Sequence, residues 1–149
     1  MITDRFTAAV DAIVADDSRF ERDAYLFVRD ALEYTTKRRR KAAPGKAAAE
    51  SHVSGPQLLE GLRQYALDQY GPMVPTVFEH WRVQSCEDFG HIVFNLIAAR
   101  EFGKADTDTI EDFRGGYNFH DAFVKPFQAA RPPGVKPPAR RGGPAGKRA

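Results

Sequence analysis

Apolar side chains between Leu58 and Tyr70 recur at steps of three and four: Leu58, Leu59, Leu62, Tyr65, Ala66 and Tyr70. That spacing puts them on one face of an α-helix. Ser54 and Gln57 precede them at the S-x-x-Q spacing of a capping box, with Val53 and Leu58 placed for a hydrophobic staple and Pro56 in the first turn. Gly71-Pro72 supplies a stop, so the pattern predicts a helix over 55–70. Val74, Val77, Phe78 and Trp81 predict a short second helix over 74–81. Ser85 and Asp88 open a third that runs to about Arg100. Phe89, Ile92, Val93, Leu96 and Ile97 form its buried face, and Gly103 ends it.

Upstream, Phe6, Val10, Ile13 and Val14 predict an amphipathic helix over 4–15, broken by Asp16-Asp17. Ser18 and Glu21 stand at another capping-box spacing. Phe20, Ala24, Phe27, Val28, Ala31 and Leu32 then step along a helix expected to reach about Thr36. Residues 42–51 carry no apolar side chain larger than alanine apart from Pro44, which predicts a linker. Beyond Gly103, Ile110 and Phe113 mark a short helical turn, and Gly115-Gly116 a tight turn. Tyr117, Phe119, Phe123 and Phe127 are expected to pack back on the core, as a short strand of a hairpin or as a final helical turn. The tail from Ala129 holds Pro, Gly, Ala and positive charge with a single Val135, too little to order itself. The pattern therefore predicts a mainly α domain over 1–128, built on five principal helices. Residues 37–52 are read as a basic flexible linker within it, and 129–149 as a disordered tail.

Composition sharpens this picture at two points. With 149 residues, 42% of them hydrophobic, the chain has room for one core. It has no apolar run long enough for a membrane span, and Asp4, Arg5 and Asp11 interrupt any signal-peptide core. A single cysteine makes a reducing, cytosolic setting the default. The net charge of +2 conceals a segregation. Residues 1–36 carry 4 basic and 8 acidic side chains, and residues 47–128 carry 6 and 12. The excess positive charge lies in two acid-free segments: Lys37, Arg38, Arg39, Arg40, Lys41 and Lys46, and then Arg131, Lys136, Arg140, Arg141, Lys147 and Arg148.

Acid-free cationic segments on an acidic body fit arms that neutralise phosphates without reading sequence, so weak binding of RNA or another polyanion is the expected function. Basic residues after Thr36 also suit the negative pole of a helix end. The alternative is a protein–protein adaptor whose acidic body docks a basic partner. The proline positions of the tail lack PxxP spacing. The two helices joined by Arg82-Val83-Gln84-Ser85 invite a helix-turn-helix reading, but Glu87, Asp88, His91 and Asn95 would face the DNA with carboxylates opposite phosphates.

No catalytic, cofactor or metal site is expected. Cys86 sits near a helix N-terminus, where Glu87 and Asp88 oppose any lowering of its pKa. His91 follows Glu87 by four residues, the spacing of a surface pair, and His80 and His120 could join it only through the tertiary fold. Asp106, Asp108 and Asp112 lack the later positions of a calcium loop and read as helix caps. An enzyme would need His80, His91, His120 and Cys86 in one pocket. Phe94 and Phe102 stand apart from the core aromatics as a candidate apolar patch for a partner.

The segments Ala24-Tyr25-Leu26-Phe27-Val28, Tyr70-Gly71-Pro72-Met73 with Val77 and Trp81, and Glu87-Asp88-Phe89-Gly90-His91-Ile92-Val93-Phe94-Asn95-Leu96 resemble a family of small, uncharacterised bacterial proteins of the planctomycete–verrucomicrobial lineages. The resemblance covers about residues 5–36 and 51–127. It implies one compact intracellular domain and carries over no catalytic residue. A glycine follows the tryptophan in that family where this chain has Arg82, which leaves the form of that turn open.

Overall fold

The computed structural model describes residues 4–42, 53–103 and 109–128. Its elements are α1 (Arg5–Asp16), α2 (Arg22–Ala42), α3 (Gly55–Tyr70), α4 (Val74–Trp81), α5 (Cys86–Ala98), α6 (Glu111–Arg114) and α7 (Phe119–Phe123). A 3-10 turn joins α3 to α4, and another follows α7. No strand occurs among the described residues, so residues 117–127 take the helical alternative and form no hairpin. The architecture is mainly α.

α2 is the spine. Ala24, Tyr25, Phe27, Val28, Ala31 and Thr35 are buried along it, and α1, α3, α4 and α5 all pack against it. The ring of Phe27 meets Tyr65, Tyr70, Phe78, Trp81 and Phe89 at centroid distances of 5.1–6.3 Å. Phe78 extends the cluster to Phe119 and Phe123, which brings α7 onto the body. Phe127 departs from the expected packing and is 49% exposed, because the turn after α7 carries it out to solvent.

The capping box of α3 forms in full: the Gln57 amide donates to Ser54 Oγ at 3.3 Å, and the Ser54 amide donates to Gln57 Oε1 at 3.0 Å. Midway along, α3 lies very close to α2. A side-chain carbon at Gly61 would overlap the Thr35 hydroxyl, which itself donates to the Ala31 carbonyl at 2.7 Å. Gly90 seats α6 on α5 in the same way, with Phe113 Cβ 2.8 Å from where its own Cβ would stand.

Three boundaries differ from the sequence pattern. First, α2 continues through Lys37–Ala42, so those residues are helix and not linker. Apolar periodicity stops at Thr36, yet lysine and arginine are good helix formers, and Lys37 adds an i,i+4 pair with Glu33. Second, Ser18 and Glu21 make no capping box, because the guanidinium of Arg82 takes that loop. It donates to the carbonyls of Ser18 at 2.9 Å and Arg19 at 3.1 Å and to Glu21 Oε1 at 2.8 Å. Third, α5 ends before Gly103, with Arg100 in the left-handed region at φ 64°.

The ends of α4 and α5 follow one design. At α4, Arg82 has φ 64°, Val83 N–H donates to Phe78 O at 2.9 Å, and Arg82 N–H donates to Glu79 O at 3.0 Å. At α5, Glu101 N–H donates to Leu96 O and Arg100 N–H to Ile97 O, each at 2.9 Å. These are paired Schellman bonds with arginine where glycine is the usual choice.

Two outcomes follow. Gly61→Ala should lower stability by about 1–3 kcal/mol by forcing α2 and α3 apart, measurable by urea denaturation. Arg82→Ala and Arg82→Gly both lose the clasp on the Ser18–Glu21 loop. The glycine variant also escapes the left-handed backbone cost of about 1–2 kcal/mol, so it should unfold at higher urea than the alanine variant.

Candidate functional site

The last buried residue of α2 is Thr35, and the basic run follows it on the same helix. At about 100° per residue, Lys37, Arg40 and Lys41 fall on one side, with Arg38 and Arg39 turned away from it. Lys37, Arg38, Arg40 and Lys41 are exposed, whereas Arg39 is half-buried. Lys37 Nζ lies 3.1 Å from Glu33 on the same helix, with both side chains well exposed, a pairing that solvent leaves weak. Arg38 donates to the Tyr34 hydroxyl at 3.1 Å, and its guanidinium stands 5.3 Å from the Tyr34 ring centre. The run is thus a helical ridge with Lys37, Arg40 and Lys41 on its outer side. Lys46 and all six tail cations, Arg131, Lys136, Arg140, Arg141, Lys147 and Arg148, lie outside the described residues.

Several of the body's own arginines are paired with its carboxylates: Arg19 with Asp17, Arg22 with Asp11, Arg63 with Glu60, Arg82 with Glu21, and Arg114 with Glu87 and Glu111. Asp17 is the most elaborate of these. Arg19 donates to it through its backbone and its side chain, and Asn95 Nδ2 donates to it at 3.1 Å. The Arg19 guanidinium, as the leading cause, holds the Asp17 carboxyl well below the usual carboxylate range. Asn95 also donates to the fully buried Tyr25 hydroxyl at 3.0 Å, and burial raises that phenol.

This geometry gives no support to α5 as a DNA-reading helix. Phe89, Ile92 and Leu96 are completely buried. Asn95 is taken up by Asp17 and Tyr25, and Asp88 accepts from the Gln84 amide at 2.7 Å. Glu87 faces Arg114 at 3.3 Å and His91 at 3.5 Å. The candidate histidines stand on three different helices, α4, α5 and α7. His80 is exposed on α4, and His120 lies 4.0 Å from Asp121 on α7. Among the described residues, no three His, Cys, Asp or Glu side chains gather as a metal site. Asp112 accepts from the Thr109 amide at 3.1 Å, within the turn that leads into α6; Asp106 and Asp108 lie outside the described residues. Among the described residues, no helix is long and apolar enough to cross a membrane.

Phe94 and Phe102 are half-buried. With Leu32, Leu58, Ile97 and Phe113 they line a pocket of about 270 Å³ at the meeting of α2, α3 and α5. A larger groove of about 500 Å³ lies between α4 and α7, walled by Phe78, Val83, Phe119, Phe123 and Val124. Sequence reading missed this groove because its walls come from helices about forty residues apart, and no local spacing records that meeting.

Cys86 is buried at the start of α5, its thiol donating to the Tyr117 carbonyl at 3.3 Å. Burial pushes that thiol up to about 11. The Tyr117 hydroxyl donates to the Leu59 carbonyl at 2.7 Å and, being buried, is raised too. At pH 8 the folded protein should therefore resist alkylation by iodoacetamide and react only in denaturant; stoichiometric labelling of the native state by mass spectrometry would contradict this packing. Comparison with protein-family models, with curated proteins and with solved structures gave no match.

Proposed function

We propose that the protein is a non-enzymatic polyanion-binding protein of a cytosolic setting, engaging RNA weakly and without sequence preference through the cationic end of α2 and the basic tail. The single observation that carries this reading is the continuation of α2 beyond Thr35 with Lys37, Arg40 and Lys41 on its outer side. A helix fixes the spacing of these cations along a phosphate backbone, and exposure leaves them hydrated and exchangeable. Several of the body's arginines support the same reading, because each already faces a carboxylate of the body. On this reading the ridge and the six cations of residues 131–148 supply the main phosphate contacts.

The mechanism is release of counterions condensed on the polyanion, which makes affinity fall steeply with salt. Each single-strand phosphate neutralised contributes about 0.7 to the slope of log affinity against log salt. Fluorescence anisotropy with a single-stranded RNA oligonucleotide across a salt series tests this. Replacing Lys37, Arg40 and Lys41 together by glutamine should reduce the slope by roughly two, with helicity by circular dichroism unchanged. A slope identical to that of the parent chain would remove the ridge from the interface, and binding indifferent to salt would end the reading.

A further inference from the structure

Met73 and Phe127 are the two exposed large hydrophobic residues among those described, at 55% and 49%. Each lies next in sequence to a helix that walls the groove: Met73 immediately precedes α4, and Phe127 lies in the turn that follows α7. The groove floor is aromatic, with Phe78, Phe119 and Phe123 mutually packed. Its rim holds Glu79, the single carboxylate among the lining residues. The guanidinium of Arg82, which also borders the groove, is drawn off to Ser18, Arg19 and Glu21.

We infer that this groove seats the chain's own segment 132–138, Pro-Pro-Gly-Val-Lys-Pro-Pro. Three observations select that occupant. The described structure ends at Gln128, four residues after Val124, which lines the groove. Four further residues reach Pro132, and they can span up to about 14 Å when extended. The chemistry also matches: proline rings and Val135 suit aromatic walls, and Lys136 suits Glu79. Finally, a tether this short raises the effective concentration to the millimolar range, so seating needs no PxxP consensus. The inference does not rest on the polyanion reading: it is argued from the groove, the prolines and Val135, and of the tail cations it engages Lys136 alone.

Nuclear Overhauser contacts in the isotope-labelled full chain test it. The expected result is cross-peaks from Val135 methyl and Pro132–Pro138 ring protons to the rings of Phe119 and Phe123, unchanged on tenfold dilution. Glu79→Lys, at an exposed position, should diminish them, and adding Lys136→Glu should restore them. As a second variant, Val135→Asp should shift the Phe119, Phe123 and Val124 resonances. Contacts that fade on dilution would assign the groove to a second copy of the chain. Contacts that are absent, with groove resonances indifferent to Val135→Asp, would leave it unoccupied by this segment. Either result overturns the inference.

Discussion

The ring of Phe27 gathers five aromatic neighbours from three helices: Tyr65 and Tyr70 on α3, Phe78 and Trp81 on α4, and Phe89 on α5. Each such pair contributes on the order of 0.5–1.5 kcal/mol beyond area burial. The arrangement requires the helices to approach one another closely, and small residues permit it: Gly61 lets α3 come down on Thr35, and Gly90 lets α6 come down on α5. The α4–α5 turn answers to the same constraint. Arg82 accepts a left-handed backbone there, and its side chain ties the turn to the loop before α2. The core is thus one aromatic cluster held on a single long helix, with connections fixed by hydrogen bonds to backbone carbonyls.

What was legible in the sequence was local. The Ser54–Gln57 box formed as spaced because both of its bonds close within one turn. The same spacing at Ser18 and Glu21 failed because a guanidinium some sixty residues away competes for that loop. The extension of α2 was hidden because periodicity counts apolar positions, and residues 37–41 have none. The Schellman endings were hidden because arginine stands where glycine would have signalled them. The candidate cations were visible as a run, but their sorting around a helix was not. The groove between α4 and α7 was not legible at all, being a product of tertiary packing.

Charge is arranged on two levels. Within the body, several arginines pair with carboxylates, and Asp17 joins the α1–α2 loop to α5 through Arg19 and Asn95, with Asn95 reaching on to Tyr25 of α2. At its C-terminal end, α2 carries lysine and arginine past its last buried residue, Thr35. Helix propensity favours these residues, and their charge suits the negative pole of the helix end, so the same side chains that finish the helix also give it a cationic surface.

The length of that overhang has an electrical meaning. Six residues separate Thr35 from Lys41, and at about 1.5 Å per residue the helix carries the last lysine roughly 9 Å along its axis. The Debye length at physiological ionic strength is about 8 Å. The terminal charge therefore sits about one screening length along the axis from the last buried position of α2, so that in cellular salt the repulsion that carboxylates farther back in the globule exert on an approaching anion is largely damped there. In dilute buffer the screening length grows and the globule's field reaches the same anion. The ridge would then work against its own support.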